Sequence, residues 1–234
     1  FALGCAKRQH RPVASGCTSG TAGANFYPAV IEAYESGVPL LIFTADRPPE
    51  LRDCASGQTI DQQKLYGSFT RHYSEMAVPT AEVHMLAYVR QTMVYGWLCA
   101  IAPSAGPVHY NCPFRDPLPP IPEAHTETIK TTFEVDRFFA DIAPPSVVVR
   151  SHPLPIGTWK GATKGLIIAG PASPDYPQGY CQAVSELSQQ LGWPVLTEGL
   201  SPLRNYLCLN SSLISTFDII LRQLDLAEAL IPEL

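Results

Sequence analysis

The sequence has no basic run longer than Lys7-Arg8, and its formal net charge is −5. It therefore carries no electrostatic footprint for a nucleic acid. No apolar run approaches the roughly 18 residues that a membrane-spanning helix needs, and the first residues show no secretory-leader pattern. There is no Cys-x-x-Cys pair. The seven cysteines, at positions 5, 17, 54, 99, 112, 181 and 208, are odd in number and widely spaced. They read as free, mostly buried thiols of a reducing compartment, not as a zinc or disulfide framework. Cys17, beside a turn, is the candidate reactive thiol. The Gly-rich dinucleotide signature is missing, because Gly16, Gly20 and Gly23 have the wrong spacing. The phosphate loop and the G-x-S-x-G nucleophile elbow are missing too. The six histidines, at 10, 72, 84, 109, 125 and 152, show no metal-ligand spacing. His109, inside an apolar strand, reads as a core or interface residue.

What is present is a 234-residue chain, 46% hydrophobic, with 23 prolines. Ala2, Leu3, Cys5 and Ala6 predict a helix over 1–9. Residues 11–17 sit where a strand belongs, although Ala14, Ser15 and Gly16 make it a poor one. Phe26, Val30, Ile31 and Tyr34 share a face of a helix over 24–36, stopped by Gly37. Residues 39–45 form a short continuous apolar run, as expected of a strand buried on both faces of a parallel sheet. Residues 52–64 are a polar loop with a possible short helix in IDQQKLYG. A strand is predicted over 72–78 and a long helix over 81–101, with Val83, Leu86, Ala87, Arg90, Val94 and Trp97 on its apolar face. A strand over 106–114 follows. Helices alternating with strands predict an α/β fold: a parallel sheet flanked by helices, with 39–45 and 107–112 as its central strands.

From 116 to 163 the chain is Pro-rich and reads as an extended surface linker. A strand near 164–174, a helix over 178–192 closed by Gly192 and a strand over 193–198 then open a second, Rossmann-like α/β domain. The expected division is 1–115, 116–163 and 164–234. Both ends fall within helical patterns, so the sequence is expected to be part of something longer.

The chemistry concentrates in CTSGTAGANFYPAVIEAYESGVPLLIFTADRPPEL, residues 17–51. A hydroxyl-rich turn at Thr18, Ser19, Gly20 and Thr21 precedes a helix and offers free backbone N–H groups plus side-chain donors. The plainer alternative is N-capping by Ser19 or Thr21. Arg47 follows a buried strand at its carboxyl end, where open α/β sheets place ligands. The plainer alternative there is a surface ion pair with Asp46 or Glu50.

Taken together, residues 18–48 resemble the pyrimidine-binding domain of thiamin-diphosphate enzymes. Acetolactate synthase and its relatives have a similar T-S-G-x-G-A-x-N turn, a helix, then Val-Pro-Leu and a strand. GPVHYNCPF looks like that domain's closing strand. FTADRPPELRD, GQTIDQ and HYNCPFRDPL are most similar to the SEPHCHC synthase (MenD) branch of menaquinone and phylloquinone biosynthesis, and LGWPVLTE resembles the start of its central domain. The resemblance implies a transferase that decarboxylates 2-oxoglutarate and adds the resulting carbanion to isochorismate. It implies thiamin diphosphate and Mg²⁺ or Mn²⁺ as cofactors, a homodimer or homotetramer, and a bacterial cytoplasm, with a plastid as the alternative. It places Thr18, Ser19, Gly20, Thr21 and Asn25 beside the cofactor's aminopyrimidine, and Arg47 and Gln58 facing substrate. It places no catalytic and no metal-binding residue in this chain. The family's catalytic Glu is expected upstream of Phe1, and the diphosphate-binding domain beyond residue 234, so the isolated chain is expected to be inactive. Gly57 stands where some of these enzymes have Asn. An acetolactate-synthase-like or other 2-oxoacid enzyme, and a non-catalytic assembly piece, are the alternatives.

Overall fold

The apolar run after Gly37 becomes strand β2, Leu40–Asp46, and the Pro107–Pro113 run becomes β4. In the computed structural model, β2 and β4 are the two inner strands of a four-stranded sheet ordered β1-β2-β4-β3, with every pair parallel. The outer strands are β1, Val13–Cys17, and β3, His72–Glu75. The described residues are 1–119, 121–122, 126–127, 129, 133–143 and 153–233. His125, His152 and much of the Pro-rich stretch lie outside them.

Alternate residues of β2 face opposite layers, as a strand's two-residue period requires. Leu40 and Ile42 pack with Ala6 of helix α1 (Ala2–Gln9) and with Val30 and Ala33 of helix α2 (Tyr27–Glu35). Leu41 packs with Val108, Tyr110 and Ala100, the last on helix α3 (Val83–Ile101). Helices therefore cover both faces, which explains why both strands are buried along most of their length. β1 forms despite its weak residues because β2 supplies a template along its whole length, from Val13 opposite Leu40 to Cys17 opposite Thr44.

Three expectations change in detail. The helix expected over 24–36 is preceded by a 3₁₀ helix, Gly20–Phe26, and becomes α-helical only at Tyr27. A Cβ on Gly23 would lie 2.8 Å from Leu65 Cδ2, so the tight turn is pressed against the following loop. No helix forms in IDQQKLYG; Lys64 sits at φ 52, outside the helical region. α3 forms, but its buried face is Gly96 and Ala100, whereas Val83 and Trp97 are exposed. That helix carries apolar residues on several sides, so spacing alone did not select the buried one.

The chain divides into two compact units, Phe1–Val147 and Val148–Leu234. Two short helices lie in the Pro-rich stretch, α4 (Val135–Phe139) and α5 (Ile156–Trp159). The second unit holds a three-stranded parallel sheet, β5 (Ile167–Ala169), β6 (Val195–Thr197) and β7 (Leu213–Ile214), in that order. Helix α6, Pro177–Leu191, ends on Gly192 at φ 70, a left-handed cap that glycine adopts without a Cβ penalty. Cys181 of α6 packs with Ala169, Val195 and Leu203.

Candidate functional site

All four strands of the first sheet run the same way, so their carboxyl ends gather at one edge. Open parallel sheets place ligands at that edge. The hydroxyl turn leaves β1 there, and Arg47 leaves β2 beside it. Register pairs Cys17 with Thr44, Thr44 with Asn111 and Asn111 with Glu75, giving one polar row across the four strands.

Asn111, fully buried, organises this row. Its Nδ2 donates to Asp46 Oδ2 at 2.8 Å and to Glu75 Oε2 at 3.0 Å. Carboxylates only accept, which fixes the amide's orientation and makes Oδ1 the acceptor. Oδ1 receives Thr44 Oγ1 at 2.8 Å and Gln62 Nε2 at 3.0 Å. Thr44 spends its proton on Asn111, so its 2.8 Å contact to His109 Nε2 has the histidine donating. His109 is then neutral, with its Nδ1 buried and without a partner. Burial pushes this imidazole down to about 4, against the pull of the Glu75 charge. The expectation of a core histidine stands, with one ring nitrogen unsatisfied.

Arg52 donates to Asp46 at 2.9 Å and also pairs with Glu75, which Tyr73 contacts through its hydroxyl. Burial works against ionising Glu75, but hydrogen bonds from Tyr73, Arg52 and Asn111 hold its carboxyl below the usual range. The same guanidinium borders a cleft of about 300 Å³ formed by residues 52–63.

Ser19 is buried at the N-cap of the 3₁₀ helix but makes no side-chain capping bond, and Thr21 lies within that helix. The side chains of Thr18 and Thr21 are exposed. Gly20 sits at φ 79, where a Cβ would lie 3.1 Å from Gln58 Cγ. Gln58 Nε2 donates to Thr18 Oγ1 at 3.0 Å and to Ser19 O at 3.1 Å. Asn25 is exposed and reaches back only to Thr21 O, at 3.5 Å. The turn and loop 57–58 are thus joined, and Arg47 joins them by donating from Nε to Gly57 O at 3.2 Å.

The ion pair offered as the plainer role for Arg47 does not form. Asp46 is taken by Arg52, by Asn111 and by the Arg47 backbone N–H, and Glu50 by Arg115. No described carboxylate pairs with the Arg47 guanidinium. The thiol expectations change as well. All seven cysteines are free, but only Cys181 is buried, and Cys54 and Cys208 are exposed. Burial raises the Cys17 pKa, which disfavours the reactive thiolate. Among the described residues no cluster of His, Cys, Asp or Glu could hold a metal, and no helix is long and apolar enough to cross a membrane.

Gln62, Arg52, Asn111 and Glu75 were not singled out by sequence reasoning. One signal was available: Asn111 interrupts an otherwise buried apolar strand, and a buried amide needs partners.

The profile of the thiamine pyrophosphate enzyme N-terminal TPP binding domain matches residues 1–65. The chain is 57% identical over its full length to the 2-succinyl-5-enolpyruvyl-6-hydroxy-3-cyclohexene-1-carboxylate synthase of a Nostoc species, covering 40% of that protein. It is 56% identical to the same-named synthase of Acaryochloris marina, covering 41% of it. The fold is shared with benzoylformate decarboxylase from Polynucleobacter necessarius, at TM-score 0.58 and 17% identity over 84% of this chain and 33% of that one. It is shared also with a thiamin diphosphate-dependent enzyme from Mycobacterium smegmatis, at TM-score 0.56 and 19% identity over 86% of this chain and 35% of that one. The chain is homologous along its whole length to the thiamin-diphosphate-dependent 2-succinyl-5-enolpyruvyl-6-hydroxy-3-cyclohexene-1-carboxylate synthases, of which it spans about two-fifths.

Proposed function

We propose that this chain is the pyrimidine-binding part, with the beginning of the central part, of an SEPHCHC synthase acting in the bacterial cytoplasm. The complete protein decarboxylates 2-oxoglutarate and adds the resulting four-carbon unit to isochorismate. Thiamin diphosphate with Mg²⁺ or Mn²⁺ serves as cofactor, in a homodimer or homotetramer. The observation that carries this reading is the hydroxyl turn and Arg47 side by side at adjacent parallel strand ends, in a chain 57% identical to such a synthase over its full length.

The turn suits an aminopyrimidine. Thr18 and Thr21 present exposed hydroxyls and Asn25 an exposed amide. Gly20, at φ 79, lets the turn close against Gln58, and Ser19 lies buried. Bound thiamin diphosphate would supply the carbanion equivalent that a 2-oxo acid needs in order to lose CO₂. This chain's residues would bind and orient. Arg47, paired with no carboxylate among the described residues, offers a planar fork to an anionic substrate. Pro48 and Pro49 stiffen the turn that presents it. Gln58 keeps Oε1 available for a substrate hydroxyl while its amide nitrogen holds the turn.

The test uses the full-length protein. Turnover of 2-oxoglutarate with isochorismate, and not of pyruvate, separates this reading from an acetolactate-synthase-like one. Failure to bind thiamin diphosphate would point to a non-catalytic assembly piece. Arg47→Ala should lower kcat/KM about tenfold to a hundredfold, from the roughly 1.5–3 kcal/mol of a charge-assisted contact. Arg47→Lys should recover only part, because an ammonium cannot make the two-pronged contact. Unchanged kinetics for both substrates in Arg47→Ala would remove Arg47 from the site.

A further inference from the structure

We propose that Gln62 is the positioning residue that sets the 18–21 turn against the sheet. The proposal rests on the reading of that turn as the cofactor's pyrimidine contact. Gln62 is 1% exposed, although it belongs to a polar surface loop. Its Oε1 accepts the Gly20 N–H at 2.7 Å. Its Nε2 donates to Ala45 O at 3.0 Å and to Asn111 Oδ1 at 3.0 Å. A backbone N–H only donates and a carbonyl only accepts, so the amide has one possible orientation and both of its donor hydrogens are used.

The three partners belong to different parts of the structure. Gly20 starts the 3₁₀ helix, where the first N–H groups have no partner within the helix. Ala45 lies near the end of β2, one residue before Asp46. Asn111 lies in β4 and holds Asp46 and Glu75. One side chain thus spans the turn, the strand end that leads into Arg47, and the buried polar row. Gly20 has no Cβ to wedge it in place, and its φ of 79 is open to many alternatives. The Gln62 bond selects one of them. Tyr66, four residues on, adds a parallel clamp by donating to Gly23 O at 2.9 Å.

A purely space-filling role would predict that an apolar residue of the same length serves as well. The test compares wild type, Gln62→Met and Gln62→Glu in the full-length protein by amide hydrogen exchange. Methionine keeps length and bulk but removes all three bonds. The Gly20 amide should then exchange about fivefold to tenfold faster, the worth of one hydrogen bond. Val108 and Tyr110 in β4 should keep their protection. Glutamate retains an acceptor for Gly20 but turns Nε2 into an acceptor facing Ala45 O and Asn111 Oδ1, so Gln62→Glu should destabilise the protein more than Gln62→Met. Unchanged Gly20 exchange in Gln62→Met overturns the proposal. So does equal loss across turn and strand in that variant, or a Gln62→Glu protein as stable as wild type.

A second arm measures thiamin diphosphate binding to the full-length protein, where Gln62→Met should raise Kd about tenfold. If the wild-type full-length protein does not bind thiamin diphosphate, the functional reading fails while the exchange result still decides whether Gln62 sets the turn. If it binds and Gln62→Met leaves Kd unchanged, the positioning role toward the cofactor is overturned.

Discussion

Asn111→Asp changes one atom at the centre of the polar row. Oδ1 can still accept from Thr44 and Gln62. Nδ2, which donates to Asp46 and Glu75, becomes an acceptor facing two acceptors. Two hydrogen bonds to charged groups are lost, each worth roughly 1.5–3 kcal/mol, for a total of about 3–6 kcal/mol before any repulsion. That is a large share of the roughly 5–15 kcal/mol that holds an ordinary domain together. Asp46 is buried, so water cannot take over its abandoned carboxylate.

The pH dependence gives the sharper test. Two neighbouring carboxylates raise the introduced carboxyl's pKa above its unfolded value of about 3.9. A raised acid destabilises where it is charged, so the penalty is full above the folded pKa and fades as pH falls toward the unfolded one. Through that window stability should recover by about 1.4 kcal/mol per pH unit relative to wild type. Urea unfolding of both proteins at pH 8, 7, 6 and 5.5 would show it. A deficit under about 1 kcal/mol at pH 8, or one that stays constant to pH 5.5, would refute the assigned orientation of the Asn111 amide. Asn111→Leu, which adds no charge, should be destabilised with no such recovery.

Two further outcomes follow from the same packing. His109 is held neutral, with its pKa pushed down to about 4 from 6.5. The unfolded chain therefore binds the extra proton between those values, and stability should rise with pH through that window by roughly 3 kcal/mol in total. A ring-proton titration by NMR with a midpoint near 6.5 would show the assignment to be wrong. In α3, Gly96→Ala would set a Cβ 1.8 Å from the Tyr110 hydroxyl oxygen. Overpacking of this kind costs about 1–3 kcal/mol, read as a melting point lower by several degrees, and adding Tyr110→Phe should restore part of it. A melt unchanged by Gly96→Ala would mean the helix stands off the sheet at that point.

The sheet was legible because its signal is local. Residues 40–43 are apolar on both faces, the pattern expected of a short parallel strand covered on both sides. The turn was legible through residue types, and Arg47 through its place after a strand. Gln62 was not, because its partners Gly20 and Asn111 lie 42 and 49 residues away and no spacing rule connects them. The buried face of α3 was missed for a different reason. Small residues, Gly96 and Ala100, make the close contact, while Leu86 and Val94 of the expected face are only partly buried and Val83 and Trp97 are exposed.

The polar row also bears on why Arg47 is free. Asp46 and Glu75 bring two carboxylates to the ends of the strands on either side of β4, and one guanidinium, Arg52, answers both. Well-packed apolar residues could stabilise such a position equally well, so stability alone does not account for buried charge there. Geometry does. Asp46 accepts the Arg47 backbone N–H at 2.7 Å through Oδ1 and gives Oδ2 to Arg52 and Asn111. Arg47 is therefore held by its backbone N–H and by its Nε bond to Gly57 O, not by an ion pair with Asp46. Had Asp46 been unpaired, it would have been the nearest anion to the Arg47 side chain and would have competed with any ligand. With Asp46 occupied by Arg52 and Asn111, and Glu50 by Arg115, neither neighbouring carboxylate is left to pair with the Arg47 guanidinium.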